Sequence, residues 1–116
     1  MANLLINVTS GPEHPTRAAL AFLVARAAVE QGHEVTLFLA GDAVQLARDA
    51  VLDNLVGLGT GSLRESYDAV RAAGARIYVS GMSSKTRGFE PGEDVEAAMP
   101  AKLVELTFAA DRVLTY

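Results

Sequence analysis

Apolar residues fall in short runs separated by polar, glycine-bearing punctuation. Leu4, Leu5, Ile6 and Val8 form the first run, closed by Ser10-Gly11-Pro12, and its continuity predicts a strand buried on both faces. Pro15 then suits the first turn of a helix. Leu20, Leu23, Val24, Ala27 and Ala28 recur at i, i+3, i+4, i+7 and i+8, which predicts an apolar stripe laid on a sheet. Gln31-Gly32 supplies the terminating glycine and Val35 to Leu39 the next run. Strand, helix and strand in this order make a βαβ unit, with parallel strands and a right-handed crossover.

The pattern continues with changes of period. Gly41 to Ala50 predicts a second helix, with Asp42 as its N-cap and Val44, Leu46 and Ala47 as its apolar positions. Val51 to Gly61 follows neither period for long. Its Leu52, Leu55, Val56 and Leu58 lie among Asp53-Asn54 and alternating glycines, which suits a partly buried loop or a surface covered by another subunit. Ser62 with Glu65 forms a capping box for a helix through Val70 to Ala73, closed by Gly74. Ile77-Tyr78-Val79 is a further strand. Phe89 to Glu93 is turn-rich, Asp94 caps a short helical turn, and Pro100 opens a helix with Leu103, Leu106, Thr107 and Ala110 on one face, ended by Asp111. Arg112 to Tyr116 reads as a last strand inside the sheet. The alternation specifies an α/β fold, a three-layer α/β/α domain over residues 1–116 with a mostly parallel sheet of four to five strands.

Composition narrows the chemistry. Half of the 116 residues are hydrophobic, enough for a real core, and the formal net charge is −4. Ten basic residues scattered along an acidic chain argue against a nucleic-acid partner. There is no cysteine, hence no disulfide, no thiolate nucleophile and no cysteine-based zinc site; His14 and His33 make a poor start for a metal cluster. No metal or cofactor is expected. The opening residues lack a basic n-region, and no apolar stretch reaches the roughly 18 residues of a membrane span, so a cytoplasmic location is expected and no membrane partner.

Candidate chemistry gathers after the strand at Ile77. Ser80, Gly81, Ser83, Ser84, Lys85 and Arg87 offer hydroxyls, backbone N–H groups and positive charge at the carboxyl edge of a sheet, a pattern suited to an anion. The plainer reading is a strand-to-helix connection with Arg87 paired to an acid such as Glu90. Thr9, Ser10, His14 and Arg17 open on the same edge, although a lone loop histidine is more often merely solvated. No Gly-x-Ser-x-Gly elbow surrounds any serine and no orienting acid is identifiable, which weighs against a Ser-His-acid hydrolase. Gly57 to Gly61 lacks the spacing and the preceding strand of a dinucleotide loop. His33 needs only a role at a helix end, and Tyr67 and Tyr78 fit packing.

Gly11 to Ala18, Gly32-His33-Glu34-Val35, Lys85-Thr86-Arg87-Gly88 and Ala110 to Leu114, in this order and spacing, resemble the DsrE/DsrF-like family of small sulfur-relay proteins across nearly the whole chain. The resemblance implies a DsrEFH-like parallel sheet flanked by helices and association into trimers or hexamers. In active members it also implies a cysteine after the fourth strand that carries a persulfide. Aligned on Arg87-Gly88, the positions where members often carry cysteine are Ser80 and Ser83 here. A thiol with pKa near 8.5 ionises appreciably at neutral pH and holds sulfane sulfur; a serine hydroxyl does neither.

Two classes of function follow. One is a homo-oligomeric protein without persulfide chemistry, binding a small anionic or sulfur-containing ligand, or a sulfur-relay partner, at the loops after strands one and four; in a purely structural version it co-assembles with cysteine-bearing paralogues through Leu52 to Leu58. The other is an enzyme of different chemistry using His14 as acid or base in the same cleft.

Overall fold

Five strands build the main sheet of the computed structural model, which describes residues 2–116. The chain enters on β1 (Asn3–Val8), crosses through α1 (Pro15–Glu30) and returns on β2 (Glu34–Leu39), parallel to β1 with Val8 opposite Leu39. A 3-10 helix (Gly41–Ala47), the short α2 (Asp49–Leu52) and a small hairpin of β3 (Val56–Gly57) and β4 (Gly61–Ser62) lead to α3 (Leu63–Ala72). Then come β5 (Arg76–Ser80), α4 (Gly81–Thr86), β6 (Glu96–Ala98), α5 (Pro100–Ala109) and β7 (Arg112–Thr115). The sheet order is β6-β5-β2-β1-β7, and every neighbouring pair runs parallel.

The two faces of this sheet are covered unequally. On one, Ile6, Val8, Leu37, Leu39, Ile77 and Val79 pack against Phe22, Tyr67 and the alanines of α1 in a dry core. The Phe22 and Tyr67 rings lie 5.6 Å apart between centroids, which couples α1 to α3. On the other face only Leu5, Phe38 and Tyr78 are buried, under Leu103, Leu106 and Ala110. None of the residues of α5 is fully buried. The layers are those the alternation predicts, with a thin third layer.

Several local expectations are corrected. In α1 the fully buried positions are Ala18, Ala19, Ala21, Phe22 and Ala25; of the predicted stripe Val24 and Ala28 pack against the core only partly buried, and Leu20 is 37% exposed. The helix is apolar nearly all round, so periodicity did not choose a face; small side chains won the close approach to the sheet. Gly41 to Ala50 is a 3-10 helix followed by α2, and its N-cap is Ala40, because the Asp42 carboxylate is taken by Arg87. Ser62 precedes α3 without a side-chain capping bond. Asp94 caps nothing: it accepts a hydrogen bond from the Tyr67 hydroxyl at 2.8 Å, and the following residues add β6 to the sheet. The imidazole Nδ1 of His33 accepts the Ala2 N–H at 3.1 Å and so clips the start of β1. Leu52 and Leu55 are core residues, while Val56 and Leu58 at the hairpin stand 63% and 90% exposed.

Candidate functional site

The polar segment after β5 is helical, and this decides how its residues are used. Ser80 ends the strand and accepts the Ser83 N–H on its Oγ at 3.2 Å, so it is the N-cap of α4. From there Ser80, Ser83 and Arg87 fall on one side of the turn and Gly81, Ser84 and Lys85 on another.

The first side is locked to the 3-10 helix that follows β2. The Gly41 N–H donates to Ser83 Oγ at 2.9 Å, and Arg87 donates through Nε to Asp42 Oδ1 at 3.1 Å and through Nη1 to the Ser83 carbonyl at 3.3 Å. Arg48 closes the arrangement from beneath: its Nη2 donates to the Arg87 carbonyl at 2.8 Å while its guanidinium lies 5.2 Å from the centre of the Phe89 ring. The hydroxyls and the guanidinium of this side are therefore engaged with protein groups. Arg87 pairs with Asp42 and not with Glu90.

The loop after β1 reaches the same edge by another route. Thr9 is exposed, and both its N–H and its Oγ1 donate to the Tyr116 main-chain oxygen, at 2.8 and 3.2 Å, so it fastens the end of β7. Ser10 is 5% exposed. His14 is the N-cap residue of α1 but makes no side-chain capping bond, and His14 and Arg17 both project into solvent. A Cβ on Gly11 would collide with the backbone carbonyl of Asp42. Only glycine permits this contact, through which the first loop is bound to the residue that Arg87 holds. The two clusters are thus joined by Asp42, and the cavity of about 320 Å3 beside α4 is lined by neither His14 nor Arg17.

The second side of α4 is less committed. Ser84 is 2% exposed, its Oγ has no hydrogen-bond partner, and Lys85 is exposed. Among the described residues no cluster of three or more histidine and carboxylate groups has a metal-holding arrangement.

A larger cavity, about 670 Å3, opens at the opposite edge, where β2 and β5 begin. Its walls include Arg76 and Lys102 but also Glu34 and the terminating glycines of α1 and α3, Gly32 and Gly74. Helix carboxyl ends carry partial negative charge and oppose an anion, and the Lys102 ammonium already lies 3.2 Å from Glu105. Charge there is mixed.

The family model described as the DsrE/DsrF-like family matches residues 2–116. Among solved structures, the crystal structure of the YchN protein from E. coli superposes with a TM-score of 0.83 at 21% identity, covering 100% of both chains. A conserved protein of unknown function from Bacteroides thetaiotaomicron superposes with a TM-score of 0.71 at 14% identity, covering 99% of this chain and 95% of the other. At such identities the likeness is one of fold. No curated protein matches the chain. No helix is long and apolar enough to cross a membrane among the described residues.

Proposed function

The chain belongs to the DsrE/DsrF-like family, and from that membership we propose a self-associating, non-catalytic protein that uses a sulfur-relay fold for binding. Its ligand is a small anionic or sulfur-containing molecule, or a sulfur-relay partner, met at the carboxyl edge where β1 and β5 end. The observation that carries this reading is the state of Ser80. By the family resemblance it is, with Ser83, one of the two positions where members often carry cysteine, and its oxygen serves as a helix cap in a chain with no cysteine. Sulfane sulfur is carried through a sulfur–sulfur bond made by a thiolate, and an alkyl hydroxyl cannot form one. Retention of the folded edge with Lys85 exposed beside it supports binding as the remaining use.

Self-association draws support from the thin third layer. Met99, Val104 and Phe108 around α5 are 55%, 56% and 88% exposed, and Val113 and Leu114 of the edge strand β7 are 42% and 39% exposed. Apolar surface of this kind beside an unpaired sheet edge is what a second copy of the chain covers. Val56 and Leu58 of the hairpin extend the apolar surface elsewhere. Trimers or hexamers, and a cytoplasmic setting, belong to the same reading.

Calorimetric titration with sulfate, thiosulfate and acetate tests the ligand version. Binding that weakens at least tenfold in Lys85→Ala supports it, and absence of any anion binding to the wild-type protein overturns it. Arg87→Ala is a poorer probe, since Arg87 also holds the edge together.

A further inference from the structure

Gly81, Ser84, Lys85 and Gly88 recur at i, i+3, i+4 and i+7, so one side of α4 and the turn after it presents them together. With Phe89, Glu90, Pro91 and Ala97 they enclose a cavity of about 320 Å3, within the size range of small-molecule sites. The floor holds an anomaly. Ser84 is 2% exposed and its Oγ finds no donor or acceptor, although buried hydroxyls are nearly always partnered because a lost water contact must be replaced.

We infer that this cavity is a binding site for a short organic monoanion, a carboxylate on a small apolar body, whose carboxylate accepts from Ser84 Oγ and Lys85 Nζ. The inference rests on the binding reading above and gives it a place and a ligand class. Three features select the class. Among the lining residues Ser84 offers a hydroxyl donor and Lys85 a positive charge, while Phe89, Pro91 and Ala97 offer apolar surface for a carbon chain. Glu90, on the same rim, brings the local charge of the lining back to zero and so disfavours a doubly charged oxyanion. The other face of α4 is already bonded to Gly41 and Asp42, so Ser83 and Arg87 stay in place, and a carboxylate reaches the covered Ser84 Oγ by a small opening on the cavity side.

The test uses the full chain, labelled for amide NMR and titrated with acetate, butanoate and hexanoate, with thiosulfate in a separate titration. Binding should shift the amides of Lys85, Gly88, Phe89 and Ala97 and tighten by up to about fourfold for each methylene buried. Ser84→Ala should weaken hexanoate binding at least tenfold while raising the denaturation midpoint of the free protein, because the unpartnered oxygen is gone. Lys85→Gln should weaken binding similarly without that gain in stability. Carboxylates that leave these amides unmoved, or that bind Ser84→Ala as well as wild type, overturn the inference. If thiosulfate still binds in a Lys85-dependent way in that case, the broader binding reading survives; if neither carboxylates nor thiosulfate bind, both fall.

Discussion

Arg87 and Asp42 are joined by two contacts of 3.1 Å, from Nε and Nη2 to the same Oδ1, and this fork ties the helix after β5 to the segment after β2. The pair is partly solvent-screened, so its Coulombic part is modest, about 0.2–1 kcal/mol. Arg87 also donates to the Ser83 carbonyl, and its own carbonyl accepts from Arg48. Arg87→Ala should therefore destabilise the chain by about 1–2 kcal/mol, and Asp42→Asn by less. Urea denaturation of the two single variants and the double variant checks this; a coupling near zero would show that the fork is incidental.

Gly11 sits against the backbone of Asp42, and the space a methyl would need is already filled by its carbonyl. Gly11→Ala should displace Asp42 and cost about 1–3 kcal/mol through overpacking. It should also lower the coupling between Arg87 and Asp42 in a double-mutant cycle, whereas Gly32→Ala, at a site with open space but a φ of +89°, should lose stability without touching that coupling.

Tyr67 links the sheet-facing core to the approach of β6. It is 1% exposed and donates to Asp94 at 2.8 Å; burial first, and then that hydrogen bond, hold its phenol above the ordinary value. The unfolded chain loses this proton near pH 10, while the folded chain keeps it. The folded form is thus favoured in full below about pH 10, and stability falls as pH rises beyond it. Tyr67→Phe should cost about 1 kcal/mol at neutral pH and flatten the alkaline decline. Denaturation midpoints of both proteins from pH 7 to the alkaline limit measure the difference.

Strong periodicity made β1, β2, β5, α3 and α5 legible, because continuous apolar runs and helical apolar spacing leave few alternatives. Legibility failed where tertiary contacts outvoted local preference. Glu96-Ala97-Ala98 has little strand propensity and pairs only because β5 offers an open edge. Asp42 and Asp94 are good cap residues by type, but each found a distant partner, Arg87 and Tyr67, separated by 45 and 27 positions. At the site, residue types marked the right segment. Its helical form was hidden, because Gly81-Met82-Ser83-Ser84-Lys85 has weak helix propensity and is held by the Ser80 cap and the Gly41 N–H. Helical spacing then separates Ser84 from Ser83, one buried without a partner and the other bonded.

The exposed apolar surface around α5 makes a prediction about assembly. Phe108→Glu places a charge where 88% of a phenyl side chain now meets solvent, so an isolated chain should tolerate it with little loss of stability. A self-associated chain should not. Light scattering coupled to size exclusion should show wild type as an oligomer and Phe108→Glu as a smaller species; a monomeric wild type at all concentrations would remove the proposed interface.

Introducing a thiol tests the proposal that this chain carries no persulfide chemistry. Ser80 is only 9% exposed, and its side-chain oxygen is occupied by the Ser83 N–H. Ser80→Cys would put sulfur in a buried position, where burial raises the thiol pKa and limits access, and would exchange a good hydroxyl cap for a weaker acceptor. The expected result is a loss of about 1 kcal/mol in stability together with slow reaction toward an aromatic disulfide reagent. Ser83→Cys, at a partly exposed position, should react faster but release the Gly41 N–H. The rates of the two variants, compared with a free thiol at the same pH, decide the matter. A fast-reacting cysteine at position 80 would mean that a single oxygen-to-sulfur change separates this chain from persulfide chemistry; a slow one means that the packing of α4 against the Gly41 segment has changed as well.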